Sequence, residues 1–101
     1  MAQTRHDIPQ EFLDAADRFV QLANEINDEY SRDFVASVMM YATARYNAFV
    51  WLTREGEPQQ TQEQAAAYYA GQYDKMLRDN LGELAPVYEG AAGASAPLKP
   101  N

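Results

Sequence analysis

The chain has 101 residues, a formal net charge of −7 and no cysteine. This length suits a single domain with one modest core, and the acidic charge argues against nucleic acids and anionic lipids as partners, because their phosphate groups would repel the chain. The lack of cysteine excludes a disulfide framework, a thiolate zinc site and a thiol nucleophile, and it is compatible with a reducing cytoplasm.

A first helix is predicted over about 7–29, after a flexible N-terminus of residues 1–6. Asp7 and Gln10 have the spacing of a capping box, and Pro9 is tolerated in a first helical turn. Apolar residues spaced four and three apart then form one stripe, which is typical of an amphipathic helix. The stripe contains Phe12, Ala16, Phe19, Ala23, Ile26 and Tyr30.

The second predicted helix, over about 31–55, has Ser31 as its candidate N-cap and ends before Gly56. At about 100° per residue its apolar residues cover roughly half of the circumference. This arc contains Phe34, Val35, Val38, Tyr41, Ala42, Phe49 and Leu52. The width of the arc predicts that helix 2 packs against both other helices, with Asn47 on the opposite side in solvent.

This apolar helix is not predicted to cross a membrane. It only just reaches the length that a bilayer requires, and Arg45 would lie near the middle of the bilayer. The N-terminal residues MAQTRHDIPQEF lack the apolar run of a secretory signal. We therefore expect a cytoplasmic protein that does not bind membranes.

A third helix is predicted over about 61–82, because Thr61 and Gln64 repeat the capping-box spacing and Gly82 is a stop signal. No segment has the period of a strand. The residues 89–101 are small, polar and proline-rich, as in a disordered tail. The prediction is an all-α fold, an up-down-up three-helix bundle over residues 7–88, since short connections favour antiparallel neighbours.

Arg45 is the one charged residue in the apolar arc of helix 2. Its guanidinium keeps its proton, so the side chain must either reach solvent or pair with a carboxylate. Asp17 lies at the edge of the stripe of helix 1, and Asp74 lies at the edge of an apolar stripe of helix 3 that includes Tyr69, Tyr73 and Met76. These two aspartates are the candidate partners of a pair that fixes helix register. Alternatively, Arg45 and Tyr41, with a tyrosine of helix 3, bind a small anionic ligand in an inter-helix pocket.

A second unusual group lies beside this arc, and we call it the flank surface. Together its residues would form a large apolar patch on a monomer. They are Ser37, Met40, Ala44 and Trp51. Either the end of helix 3, with Leu84, Val87 and Tyr88, covers this surface, or the flank surface mediates self-association or partner binding centred on Trp51, a residue type enriched in interface hot spots.

Residues for catalysis or metal binding are not grouped in the sequence. His6 is the only histidine and precedes helix 1, and the acidic pair Asp14 and Asp17 is expected on a solvated face. There is no glycine-rich phosphate loop. We therefore predict a protein that is not an enzyme and that uses neither a cofactor nor a metal.

The segments EFLDAADRFVQLANE and SVMMYATARYNAFVWL resemble those of short, all-helical proteobacterial proteins grouped as domain of unknown function 3144. The likeness spans about Phe12 to Leu84 and is most specific over Ala44 to Phe49. It implies a helical, bacterial and cytoplasmic protein, and it brings no activity or site residue with it.

Two functions are consistent with these observations. The first is a small acidic protein–protein interaction module, which forms a homodimer or binds another protein through the flank surface. The alternative is a binder of a small anionic ligand in a pocket around Arg45.

Overall fold

The computed structural model describes residues 7–55 and 61–88. These ranges contain three α-helices and no strand: α1 (Gln10–Asn27), α2 (Arg32–Leu52) and α3 (Gln62–Tyr88). The predicted all-α fold is confirmed in its class and in the number and order of its helices, and it is consistent with the predicted three-helix bundle.

The predictions for both ends of the chain concern residues outside the described ranges. These are the flexible N-terminus, residues 1–6, and the disordered tail, residues 89–101. Gly56, which was predicted to stop helix 2, also lies outside the described ranges, in the segment 56–60.

α1 begins at Gln10, three residues later than predicted, and Pro9 rather than Asp7 occupies its N-cap position. The residue before a proline disfavours helical backbone angles, so Ile8 stays outside the helix. A proline at this boundary leaves no additional N–H unpaired. Gln10 donates from Nε2 to Asp14 Oδ1 at 2.9 Å, one turn into the helix.

The predicted N-caps of the other two helices are confirmed. The hydroxyl of Ser31 accepts a hydrogen bond from the backbone N–H of Phe34 at 3.1 Å. At the start of α3, the backbone N–H of Gln64 donates to Thr61 Oγ1 at 3.0 Å, and that of Thr61 donates to Gln64 Oε1 at 2.8 Å. Both helices therefore start where a local side chain satisfies the free N–H groups of the first turn.

Replacing Ser31 with Ala is expected to lower the free energy of unfolding by about 1 kcal/mol, because the N–H of Phe34 loses its acceptor. Urea denaturation at a fixed protein concentration would measure the loss. A Ser31→Asp variant is the matched control, since aspartate caps helices as well as serine does. Equal stability of the alanine variant and the natural chain would contradict this role of Ser31.

The C-terminal ends of α2 and α3 differ from the predicted ones. α2 ends at Leu52, before the predicted end near residue 55, and Thr53 is its C-cap. The backbone angles of Thr53 leave the helical region, with φ −105° and ψ 8°. Its hydroxyl donates to the carbonyl of Phe49 at 2.7 Å and so closes the last turn.

α3 continues six residues past the predicted end at Gly82 and includes Pro86. Glycine in a helix costs only about 1 kcal/mol relative to alanine, and the residues around Gly82 include the good helix formers Leu81 and Glu83. Pro86 deprives the carbonyl of Gly82 of its usual N–H donor, but Gly82 is exposed, so water can replace that donor. Neither residue therefore ends the helix.

The core of the described chain is small and lies between α1 and α2. Three apolar residues are buried, Leu13 and Ala23 on α1 and Val35 on α2, and the described residues of α3 include no buried one. The predicted stripe of α1 was only partly right: Ala23 is buried, but Phe19 is 70% exposed. The buried face of α1 includes Leu13, which was not part of the predicted stripe. α1 therefore packs through a face next to the predicted one.

A single copy of the chain leaves much of the helical surface of its described residues without a packing partner, because only three of their apolar side chains are buried and none of these is on α3.

Candidate functional site

The most unusual feature of the structure is its exposed apolar surface. Twenty large apolar or aromatic side chains of the described residues are exposed, against three buried apolar residues. The twenty are about half exposed on average and together present on the order of 2,000 Å², at roughly 150–250 Å² for each full side chain. The twenty are spread over all three helices, so this area is a total and not one continuous patch.

One continuous row of this surface runs along α2, and we call it the seam. Its members are spaced four, three, four, three and four residues apart, as in the contact line of a coiled coil. They are Phe34, Val38, Tyr41, Arg45, Ala48 and Leu52. All six are exposed, with Tyr41 at 66% and Leu52 at 71%.

The side of α2 opposite the seam contains its less exposed residues. Val35 is buried, and Asn47 and Val50 are half-buried. The prediction was therefore wrong for Asn47, which was expected in solvent, and for Phe34 and Phe49, which were expected in the core. α2 is apolar on nearly every side, so its sequence pattern does not select the face that meets α1.

Arg45 lies in the middle of the seam and is exposed. The structure does not bring it to either predicted carboxylate partner. Asp74 accepts hydrogen bonds from Nε of Arg78 at 2.9 and 3.1 Å, one turn along α3. Asp17 is half-buried on α1. Arg45 makes no ion pair or hydrogen bond to any described residue.

A shallow, open hollow lies on α1, not beside Arg45 or Tyr41. It is lined by Asp14, Asp17, Arg18, Gln21, Leu22 and Glu25, all on one helix. Three carboxylates against one guanidinium make this hollow unsuitable for an anion. Within the described ranges, no cluster of three or more histidine or acidic residues could hold a metal ion.

The flank surface is partly covered by the chain itself. Trp51 is half-buried, with ring centroids at 6.3 Å from Tyr68 and 6.0 Å from Tyr69. The guanidinium of Arg54 lies 5.0 Å from the centroid of the indole ring, a cation–π distance. This aromatic cluster joins the end of α2 to the start of α3.

The rest of the flank surface is exposed, with Met40 at 55% and with Ser37 and Ala44 also open to solvent. The late residues of α3 that were considered as its cover, Leu84, Val87 and Tyr88, are themselves exposed. Sequence reasoning missed the aromatic cluster, because the helical pattern does not show which side chains of two helices meet at their ends. The available signal was the position of these aromatic residues near the facing ends of two consecutive helices.

Replacing Tyr69 with Ala is expected to shift the fluorescence of Trp51, the only tryptophan, to longer wavelength, because water would reach the indole ring. Emission spectra and acrylamide quenching would measure this change. Tyr73→Ala is the matched control, since Tyr73 is 50% exposed and one turn further along α3. A red shift of the same size in both variants would contradict the specific contact.

None of the helices in the described part of the chain is both long enough and apolar enough to cross a membrane.

Comparison with known proteins gives one family. No curated protein and no solved structure matches the chain. The model of the family described as "Protein of unknown function (DUF3144)" matches residues 12–85, which is well over half of the chain and includes the seam, the flank surface and the aromatic cluster. The resemblance noted in the sequence is confirmed, and the chain belongs to the DUF3144 family.

Proposed function

We propose that this protein is a protein–protein interaction module whose helices complete their core against another polypeptide. One observation supports this proposal above the others. In the described residues, twenty large apolar or aromatic side chains are exposed, and only three apolar residues are buried. Apolar burial is the main favourable term in folding. A partner that covers the exposed side chains would supply the burial that the single chain lacks.

The amount of exposed apolar surface fits such a partner. Obligate interfaces bury about 2,000–5,000 Å² in total, or about 1,000–2,500 Å² on each side. The exposed large apolar side chains total on the order of 2,000 Å² over three helices, so a partner that covers about half of them would reach this range. Many of them lie on α2 and α3, so the interface would include more than one helix.

The charge of the chain favours a protein as the partner. A net charge of −7 opposes contact with nucleic acids and anionic lipids. The proposal includes no catalytic step, cofactor or metal. We place the protein in the cytoplasm, a compartment that is compatible with its lack of cysteine.

Two surfaces of α2 are candidates for the contact. The flank surface includes Met40 and Ala44, both exposed, but its largest residue, Trp51, already contacts Tyr68 and Tyr69. All six residues of the seam are exposed, and of its rings only that of Phe34 has a stacking partner among the described residues, Tyr30 at 4.6 Å. The seam therefore has the stronger support.

Binding of a small anionic ligand at Arg45 has weaker support. Arg45 and Tyr41 are both exposed on one face of a single helix, where little of a ligand would be covered. Small-molecule sites are usually concave and cover most of the ligand. A bound small mass that disappears in an Arg45→Met variant would favour this alternative.

The interaction module is expected to unfold at a temperature that depends on its own concentration. For a dimer that folds on association, 100-fold dilution lowers stability by about 2.7 kcal/mol. For a chain of this size the Tm should fall by on the order of 10 °C. Circular dichroism melts across this concentration range would measure the shift.

Native mass spectrometry of the untagged protein complements the melts. Peaks at multiples of the 11.4 kDa chain mass, or with a second polypeptide attached, are expected. A single chain that stays helical, with the same Tm at every concentration and no attached polypeptide, would overturn the proposal.

A further inference from the structure

We propose that the seam joins two copies of this chain, with their α2 helices antiparallel and Arg45 of each copy stacked on Tyr41 of the other. This inference rests on the proposed function and names its partner. Two other surfaces have less support than the seam. The acidic hollow on α1 is lined by residues of one helix only, and the tryptophan of the flank surface already packs against Tyr69.

The spacing of the seam fits a helix–helix contact. Alternating steps of three and four residues keep one row of side chains facing a partner helix. α2 has 21 residues, so the contact can extend for about 30 Å. α1 contacts α2, and the buried residue of α2 is Val35, about 100° around the helix from Phe34. The ring of Phe34 stacks on Tyr30 at 4.6 Å but stays 48% exposed, so a second copy can reach the seam without displacing α1.

Arg45 determines the orientation of the two helices. In a parallel pair, each seam residue faces its own equivalent, so two Arg45 guanidiniums would meet in one layer. Like charges in a partly buried layer repel, and arginine cannot lose its proton. A parallel seam is therefore disfavoured by the one charge that the seam contains.

In the antiparallel arrangement the same residues complement one another. With the two-fold axis beside residue 43, the seam forms layers of three kinds, each of which occurs twice. The layers are Phe34 with Leu52, Val38 with Ala48, and Tyr41 with Arg45. Two large apolar residues meet at each end, and a small residue faces a medium one in the next layer.

The Tyr41–Arg45 layer gives each arginine a partner of suitable chemistry. A guanidinium over an aromatic ring is stabilised by the ring's negative face, and more so when water is excluded. The tyrosine hydroxyl can also reach the edge of the interface and stay hydrated. Arg45, which has no ion pair among the described residues, thus gains two-fold related contacts that a single chain cannot provide.

The local charge of α2 also permits two acidic chains to meet. α2 contains two arginines and one aspartate, which gives a net charge of +1, whereas the whole chain has −7. Most of the acidic residues lie outside α2. Contact through α2 therefore brings together the least acidic helical surfaces of the two copies.

The buried area is adequate for a specific dimer. The exposed parts of the seam residues, with Phe49 beside them, amount to about 600 Å² per copy at typical side-chain areas. The total of about 1,200 Å² exceeds the roughly 1,000 Å² expected of a biological contact and reaches the lower end of standard interfaces. Adjacent exposed residues of α1 and α3 would add to it.

Disulfide trapping tests both the surface and the orientation. The natural chain has no cysteine, so only introduced thiols can react. Val38→Cys chains and isotope-labelled Ala48→Cys chains are refolded together at full length and oxidised. An antiparallel seam should give the mixed disulfide, because residues 38 and 48 share a layer, and should give almost none of the two disulfides between like chains.

Distance explains this selectivity. In the antiparallel pair two copies of residue 38 are offset by ten residues, or about 15 Å along the helix. A disulfide requires Cα atoms within about 7 Å. Ala36→Cys, on the other side of α2, is the control that should form no disulfide, and a Phe34→Cys and Leu52→Cys pair repeats the test if the first variants lose helicity by circular dichroism.

Each outcome decides a different point. Disulfides between like chains in both variants would overturn the antiparallel orientation. A dimer in native mass spectra without any seam disulfide would overturn the seam and leave the interaction module intact. A folded chain that remains monomeric at every concentration would overturn the symmetric dimer, and it would overturn the interaction module as well if native spectra of the untagged protein also show no attached polypeptide.

Discussion

A Val38→Asp variant is expected to be monomeric at concentrations at which the natural chain is dimeric. In the antiparallel seam, Val38 faces Ala48 in the narrowest layer, so an aspartate there is covered and has no cationic partner. Uncompensated burial of a charge costs several kcal/mol, and the layer occurs twice per dimer. The dissociation constant should therefore rise by about a thousandfold or more, which sedimentation equilibrium would measure.

Met40→Asp is the matched control for this experiment. It introduces the same charge into the same helix two residues away, at an exposed position of the flank surface. We expect the Met40 variant to remain dimeric. If it dissociates while the Val38 variant does not, the contact is on the flank surface and the seam is the wrong choice. Circular dichroism of both variants would show whether the single chain keeps its helices.

The helix starts of this protein could be predicted from the sequence where a nearby side chain determines them. Ser31 and the pair Thr61 and Gln64 cap their helices through hydrogen bonds within three residues. Such contacts depend on the local backbone alone, so their spacing is sufficient to identify them. At α1 the signal was weaker, because Pro9 takes the boundary position itself.

The packing faces could not be predicted in the same way. The sequence pattern assumes that a helix buries its most apolar face within its own chain. α2 has apolar residues on nearly all sides, and α1 packs against the side of Val35 and leaves Phe34 and Tyr41 exposed. If the seam is an interface between copies, the predicted apolar arc is still buried, but by a second chain.

The same assumption affected the interpretation of Arg45. The sequence identified it as the one charge among apolar residues, and a partner was therefore sought on the other two helices. Asp74 instead binds Arg78 on its own helix, in an exposed pair of the kind that contributes little to stability. Arg45 is exposed on its own chain, and in the proposed symmetric contact its partner is Tyr41 of the second copy.

Replacing Arg45 with Leu is expected to strengthen self-association and to remove the preference for antiparallel over parallel α2 helices. A leucine adds apolar area to two layers, and exchange of a buried charged group for an apolar one is often stabilising by about 1–4 kcal/mol. The dissociation constant should then fall by about tenfold or more. Because no charge then opposes the parallel pair, disulfide trapping with Val38→Cys and Ala48→Cys should give disulfides between like chains as well as the mixed one.

An Arg45→Lys variant separates orientation from affinity. Lysine keeps the positive charge, so the parallel layer remains disfavoured and the mixed disulfide should still predominate. Its affinity should be lower than that of the natural chain, because an ammonium lacks the planar surface that stacks on tyrosine. A leucine variant that still forms only the mixed disulfide would mean that the apolar layers, and not Arg45, determine the orientation of α2 in the dimer.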